Sequence, residues 1–130
     1  MKRNIQEEMK ELWGNSCYAW CLVWLYSENT ELTNMMKNII NGIEKKYIDY
    51  PDCYVREPAK FVNMLLGFPR FRDVEKVYSE PPQSATTIVE WVNGEQSHFV
   101  VMQGGKVVFD PSGDSKTVRN GKISSWRRFI

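Results

Sequence analysis

Three cysteines and a single histidine are the side chains in this 130-residue sequence best suited to nucleophile, metal or proton-transfer chemistry. Cys17 and Cys21 lie in GNSCYAWCLVWLY, and Cys53 stands alone. The histidine, His98, opens the segment SHFVVMQGGKVVFDPSG, and Asp110 stands near its end. Gly104-Gly105 falls almost midway between His98 and Asp110, so a hairpin turning there brings the two side chains within hydrogen-bond reach. A carboxylate placed in that way can hold an imidazole in one orientation for proton transfer. Cys17 supplies a nucleophile if it sits in the first turn of a helix. There, unpaired backbone N–H groups and the positive end of the helix dipole favour a negatively charged sulfur, and a nearby imidazolium favours it further. The Cys17 N–H also points toward a developing oxyanion.

Each residue has a plainer reading. Cysteine is among the most buried residue types, so Cys21, one helical turn into the apolar run, reads as a packing residue. A Cys17–Cys21 zinc pair needs Cys53 and His98 as further ligands, and that spacing fits no zinc motif. An odd number of cysteines argues against a disulfide framework. Asp110-Pro111 also suits a strand-ending turn, and His98 suits an ordinary buried strand position. The tryptophans, Trp13 among them, read as core and groove-wall residues.

The elements that must position these groups follow from periodicity. Residues 4–12 carry Ile5, Met9 and Leu12 at helical spacing, and Gly14-Asn15 interrupts them. Ser16 or Asn15 is suited to cap a second helix over 17–27, which is apolar all round and therefore buried on most sides. In 31–47, Leu32, Met35, Met36, Ile39, Ile40 and Ile43 form one apolar stripe of an amphipathic helix. Another helix is expected from Pro58 to Gly67. The period then changes to that of strands: 74–77, 87–92, 98–102, 106–109 and 122–129. Asn93-Gly94 and Asn120-Gly121 are dipeptides that type I′ hairpins prefer. Helices in the first half and an antiparallel meander in the second predict an α+β protein with one domain over 1–130.

Composition narrows the function classes. A net charge of +1 with scattered Lys and Arg gives no electrostatic case for nucleic acid. The ten-residue apolar run is too short to span a bilayer, and MKRNIQEEMKELW is too polar and acidic for a signal peptide. No membrane partner and a cytoplasmic location are expected; oligomeric state is left open.

NSCYAWCL resembles the nucleophile motif of the bacteriocin-processing branch of the papain-like cysteine peptidases. HFVVMQGGKVVFDPSG is similar to that family's run of His, apolar strand, turn, apolar strand, Asp-Pro and Gly. The resemblance implies a papain-like fold with Cys17 as nucleophile, His98 as general base, Asp110 as orienting acid and Cys21 as a packing residue. It implies a peptide or amide-containing substrate, an acyl-enzyme, and no metal or cofactor. The short chain suggests a minimal enzyme of the kind found in bacterial or phage proteins. Two positions depart from the pattern. Tyr18 stands where the family has Gly, and Glu11 stands where it has a Gln that serves as oxyanion donor. Asn15 and Gln6 are other amide donors near the nucleophile, and Trp13 is placed to line a cleft. The departures define the alternative expectation, a catalytically inactive papain-like module that binds or builds.

Overall fold

A computed structural model of the chain describes residues 16–50, 52–113 and 116–130. Helix α1 (Cys17–Tyr26) has no polar face, and Ala19, Trp20, Cys21, Leu22 and Val23 are fully buried. A helix of this kind needs cover on all sides, and it packs against strands β2 (Thr87–Asn93) and β3 (Gln96–Gln103) and against two further helices. Ser16 is its N-cap through the backbone, accepting the Trp20 N–H at 3.1 Å. The side-chain cap expected of Ser16 is not made, because the hydroxyl is buried with no hydrogen-bond partner. Asn15, the other capping candidate, and the helix expected over 4–12 lie outside the described residues.

Helix α2 (Leu32–Glu44) turns Met35, Ile39 and Gly42 inward. It stops short of the expected residue 47 because the chain turns left-handed at Lys46 (φ 64°), and the Tyr47 and Ile48 N–H groups return to the Gly42 carbonyl at 2.9 and 3.2 Å. Ile40, placed on the apolar stripe by its spacing, is 42% exposed. Its neighbour Ile39 fills the interior instead. Helix α3 (Pro58–Leu66) begins on proline and ends at Gly67 in the left-handed conformation (φ 84°).

The remaining strands are β1 (Val74–Val77), β4 (Lys106–Phe109) and β5 (Lys122–Phe129), giving an antiparallel five-stranded sheet in the order β1-β5-β2-β3-β4. The expected meander is therefore incorrect: β5 inserts between β1 and β2, pairing Val89 with Trp126 on one side and Val77 with Trp126 on the other. Asn120-Gly121 does not turn a hairpin. It ends a short helix, α4 (Lys116–Asn120), absent from the sequence reading, and a Cβ at Gly121 would collide with the backbone carbonyls of Thr117 and Val92. That glycine serves close approach. In the β2–β3 hairpin the two-residue loop is Gly94-Glu95, with positive φ only at Gly94, the pattern of a type II′ turn rather than the type I′ expected.

Alternate residues of the sheet feed two cores. Ile88, Phe99 and Val101 meet α1, α2 and α3 through Trp20, Leu22, Ile39 and Phe61. Val89, Val100, Met102 and Trp126 form a second cluster with Val118 of α4. The class is α+β, as expected. Among the described residues, no helix is long and apolar enough to cross a membrane.

The tightest helix contact is at Gly42, where an added Cβ would lie 2.6 Å from Phe61 and 2.9 Å from Ile48. Gly42→Ala therefore loses stability, by about 1–3 kcal/mol, because the overpacking outweighs the gain in helix propensity. Urea denaturation of the variant checks this, and an unchanged midpoint would contradict the packing.

Candidate active site

The β3–β4 hairpin turns at Gly104-Gly105, both with positive φ (60° and 76°), the requirement of a type I′ two-residue loop. From the loop Gln103 pairs with Lys106 and Met102 with Val107, and a register shift at Val108 then pairs Val101 with Phe109. Continuing that register, Asp110 falls opposite Val100, two positions from His98 and on the same face, the diagonal relation that long side chains bridge. The His98 Nε2 and Asp110 Oδ1 atoms are 2.7 Å apart. Both side chains are buried, 9% and 8% exposed.

The same Asp110 Oδ1 accepts the backbone N–H of Ser112 at 2.9 Å, and the Gly113 N–H bonds to the Asp110 carbonyl at 2.9 Å. Turn-making and imidazole-holding are thus carried by one carboxylate, whose position is set by its own turn.

β4 covers β3 only between Val101 and Gln103, so among the described residues no strand lies beside the edge of β3 at His98. The first turn of α1 arrives there. Cys17, half-buried, lies near enough to the imidazole to act on it. With Nε2–H donating to the carboxylate, Nδ1 is the ring nitrogen left for a further partner. Burial pushes the His98 pKa down, but Cys17 and Asp110, which favour the imidazolium as hydrogen-bond acceptors and as negative charges, outweigh it, and the net shift is upward. Cys21, one turn further, is fully buried, and burial followed by the proximity of Cys17 and Asp110 holds its thiol well above the ordinary range. The two cysteines are therefore unequal. Cys17 meets the imidazole and Cys21 packs.

Among the described residues, no group of three His, Cys, Asp or Glu side chains is placed to hold a metal ion. Glu11, Trp13 and Asn15, the candidate oxyanion and cleft residues, lie outside the described residues, as does Gln6. The helix N-terminus itself provides donors, since the N–H groups of Cys17, Tyr18 and Ala19 precede the first intrahelical bond. A cleft of about 460 Å³ lies elsewhere: Pro81, Pro82, Met102, Val107 and Ile123 line it, and it includes none of Cys17, His98 and Asp110.

The family model for DUF261, described as a protein of unknown function, matches residues 1–130. The chain belongs to DUF261. No curated protein matches it, and no solved structure does. In this DUF261 chain the geometry also reveals residues that the sequence reading did not single out for the site. Phe99 follows His98 and stacks on Tyr18, which follows Cys17, and Arg127 lies over both rings. The adjacency of each aromatic to a reactive residue was visible in the sequence, but their meeting was not. Trp91, directly across from His98 in the β2–β3 ladder, likewise had no local signal.

Because His98 is the single histidine, its NMR titration is unambiguous. The midpoint is expected above the ordinary value of about 6.5 and should fall in Asp110→Asn. The linked stability has a definite sign: with the folded pKa raised, it is fully present below about pH 6.5 and lost as pH rises through the folded value. A wild-type midpoint below 6.5 would contradict the hydrogen bonds described.

Proposed function

We propose that this DUF261 protein is a papain-like cysteine hydrolase, a peptidase or amidase acting through an acyl-enzyme. One observation carries the reading: a buried imidazole holds a carboxylate at 2.7 Å, and the half-buried cysteine that starts α1 lies near enough to act on the same ring. The resemblance of NSCYAWCL and HFVVMQGGKVVFDPSG to the bacteriocin-processing peptidases supports it, as does an α+β order with the nucleophile helix preceding the His and Asp strands.

In the reaction, the Cys17 proton passes to His98 Nδ1, and the thiolate attacks the carbonyl carbon of a peptide or amide bond. The former carbonyl oxygen becomes an oxyanion beside the first-turn N–H groups of α1. On collapse the C–N bond breaks, the imidazolium protonates the departing amine, and a thioester remains on Cys17. Water, deprotonated by His98, then attacks the thioester and releases a carboxylic acid and the free thiol. Asp110 keeps Nε2–H engaged throughout and stabilises the imidazolium.

The second reading, a papain-like module that binds without turnover, rests on Tyr18, whose ring packs on Phe99 where the resembled family has glycine, and on Glu11 in place of an amide donor. Iodoacetamide separates the two. In the hydrolase, Cys17 alkylates rapidly near pH 6, and His98→Ala removes that reactivity, while Cys21 and Cys53, both buried, label slowly. Equal, slow labelling of all three cysteines would sink the hydrolase and leave the binding module. Turnover of a panel of peptide amides, abolished in Cys17→Ala, completes the test.

A further inference from the structure

Tyr18 and Phe99 are the residues that follow the thiol and the imidazole, and their rings stack with centroids 4.7 Å apart and planes inclined by 29°. The Arg127 guanidinium lies 5.0 Å from the Phe99 centroid and 5.9 Å from that of Tyr18. Arg127 is itself held: it donates to Ser125 Oγ at 2.9 Å and lies 3.5 Å from Glu90 Oε1, which accepts from the Ser125 hydroxyl at 3.1 Å. Lys76 Nζ stands 3.7 Å from the same Glu90 oxygen. Strands β1, β2 and β5 therefore anchor a cation against a ring pair that ties α1 to β3.

We propose that the Tyr18–Phe99 stack, held by Arg127, is the positioning clamp that keeps the Cys17 thiol in register with the His98 imidazole. This rests on the hydrolase reading above. Cys17 sits on a helix and His98 on a strand, at a point where β3 has no neighbouring strand on that side among the described residues, so no ladder between the two sets their separation. A ring stack one residue along each chain does so directly, because sliding α1 along β3 would unstack it. Aromatic pairs at this separation have preferred offsets, and a guanidinium over their faces adds attraction. Bulk at position 18, where the resembled family has none, becomes a working part rather than a defect.

The groups facing the phenol are the Arg127 guanidinium from β5, the Cys21 thiol and Tyr26 phenol from α1, and Tyr54 from the segment before α3, with Glu90 and Lys76 behind Arg127. Burial raises the Tyr18 pKa far above the ordinary phenol range, and Arg127 opposes this only in part. The ring therefore stays neutral across the working pH range. Its hydroxyl is buried with no hydrogen-bond partner, so the ring and not the hydroxyl carries the role.

The test uses the full chain and iodoacetamide as probe, with alkylation of Cys17 followed from pH 5 to 9 in wild type, Tyr18→Phe, Tyr18→Leu and Phe99→Leu. Thermal melting confirms that each is folded. The leucine variants are expected to alkylate about tenfold more slowly at pH 6, with the half-rise of the profile moved up by about one pH unit and the plateau rate unchanged. The His98 NMR midpoint falls in parallel, because the imidazole loses its thiol partner. Tyr18→Phe keeps the wild-type profile. A merely structural role would lower melting temperature without moving the profile. Phe99→Leu carries the test by itself if Tyr18→Leu does not melt cooperatively. A wild-type profile in a folded leucine variant, or a Tyr18→Phe profile like that of Tyr18→Leu, overturns the clamp alone. Slow alkylation of the wild type at pH 6 overturns instead the hydrolase reading beneath it.

Discussion

An apolar helix with no wet face is the constraint from which the rest of the structure follows. Ala19 to Val23 are fully buried, and burying a Leu or Val side chain stabilises the fold by about 1.5–3 kcal/mol each. Satisfying that demand takes α2 and α3 on one side of α1 and the centre of the sheet on the other. Once α1 is enclosed, its N-terminal turn can open only at a margin of this packing. The margin it reaches is the uncovered edge of β3, where His98 stands. The burial of Trp20 and Leu22 thus determines where the half-buried thiol at Cys17 emerges.

The polar groups at that margin are few and closely bound. His98 and Asp110 are buried together, and a buried charge is tolerable only when its partners are in place. Asp110 meets this condition twice over, since the oxygen that meets the imidazole also accepts the Ser112 N–H of its own turn. On the far side of the Tyr18–Phe99 rings, Glu90, Ser125 and Arg127 make a second compact network, with Glu90 and Arg127 each more than four-fifths buried at the side chain. Short bonds within strands and turns place both networks, so neither depends on long surface side chains.

The approach of His98 and Asp110 was legible before the structure because a hairpin turning at Gly104-Gly105 returns residue 110 to the neighbourhood of residue 98. The face that Asp110 takes was not: counting from the turn sets it opposite Phe99, and the register shift between Val101 and Met102 moves it opposite Val100, onto the His98 face. The inequality of Cys17 and Cys21 was legible too, from the turn residues before one and the apolar run around the other. The position of β5 was not. Residues 122–129 read as a strand, but their partners β1 and β2 are remote in sequence, and a β-strand carries no local mark of which edge it will join. Asn120-Gly121 looked like a hairpin for the same reason, since the dipeptide reports a tight turn and not the packing of Gly121 against Val92 that the fold requires. Ile40 fitted the helical stripe as well as Ile39 did. Only the actual direction of α3 and Ile48 selected which of the two is buried.

What the sequence determined by itself was local: the period of each segment, the capping proline and glycine of α3, and the turn at Gly104-Gly105 that brings residue 110 back toward residue 98. These depend on backbone preferences and on contacts across a few residues, which short stretches of chain encode directly. The tertiary structure alone decided that β5 lies between β1 and β2, that Tyr18 meets Phe99 beneath Arg127, and that Cys17 reaches the imidazole. The contacts of Cys17 and Tyr18 reach residues some 80 to 110 positions away. They arise where the burial of α1, the pairing of β5 and the length of β4 are satisfied at once, and no single segment carries that information.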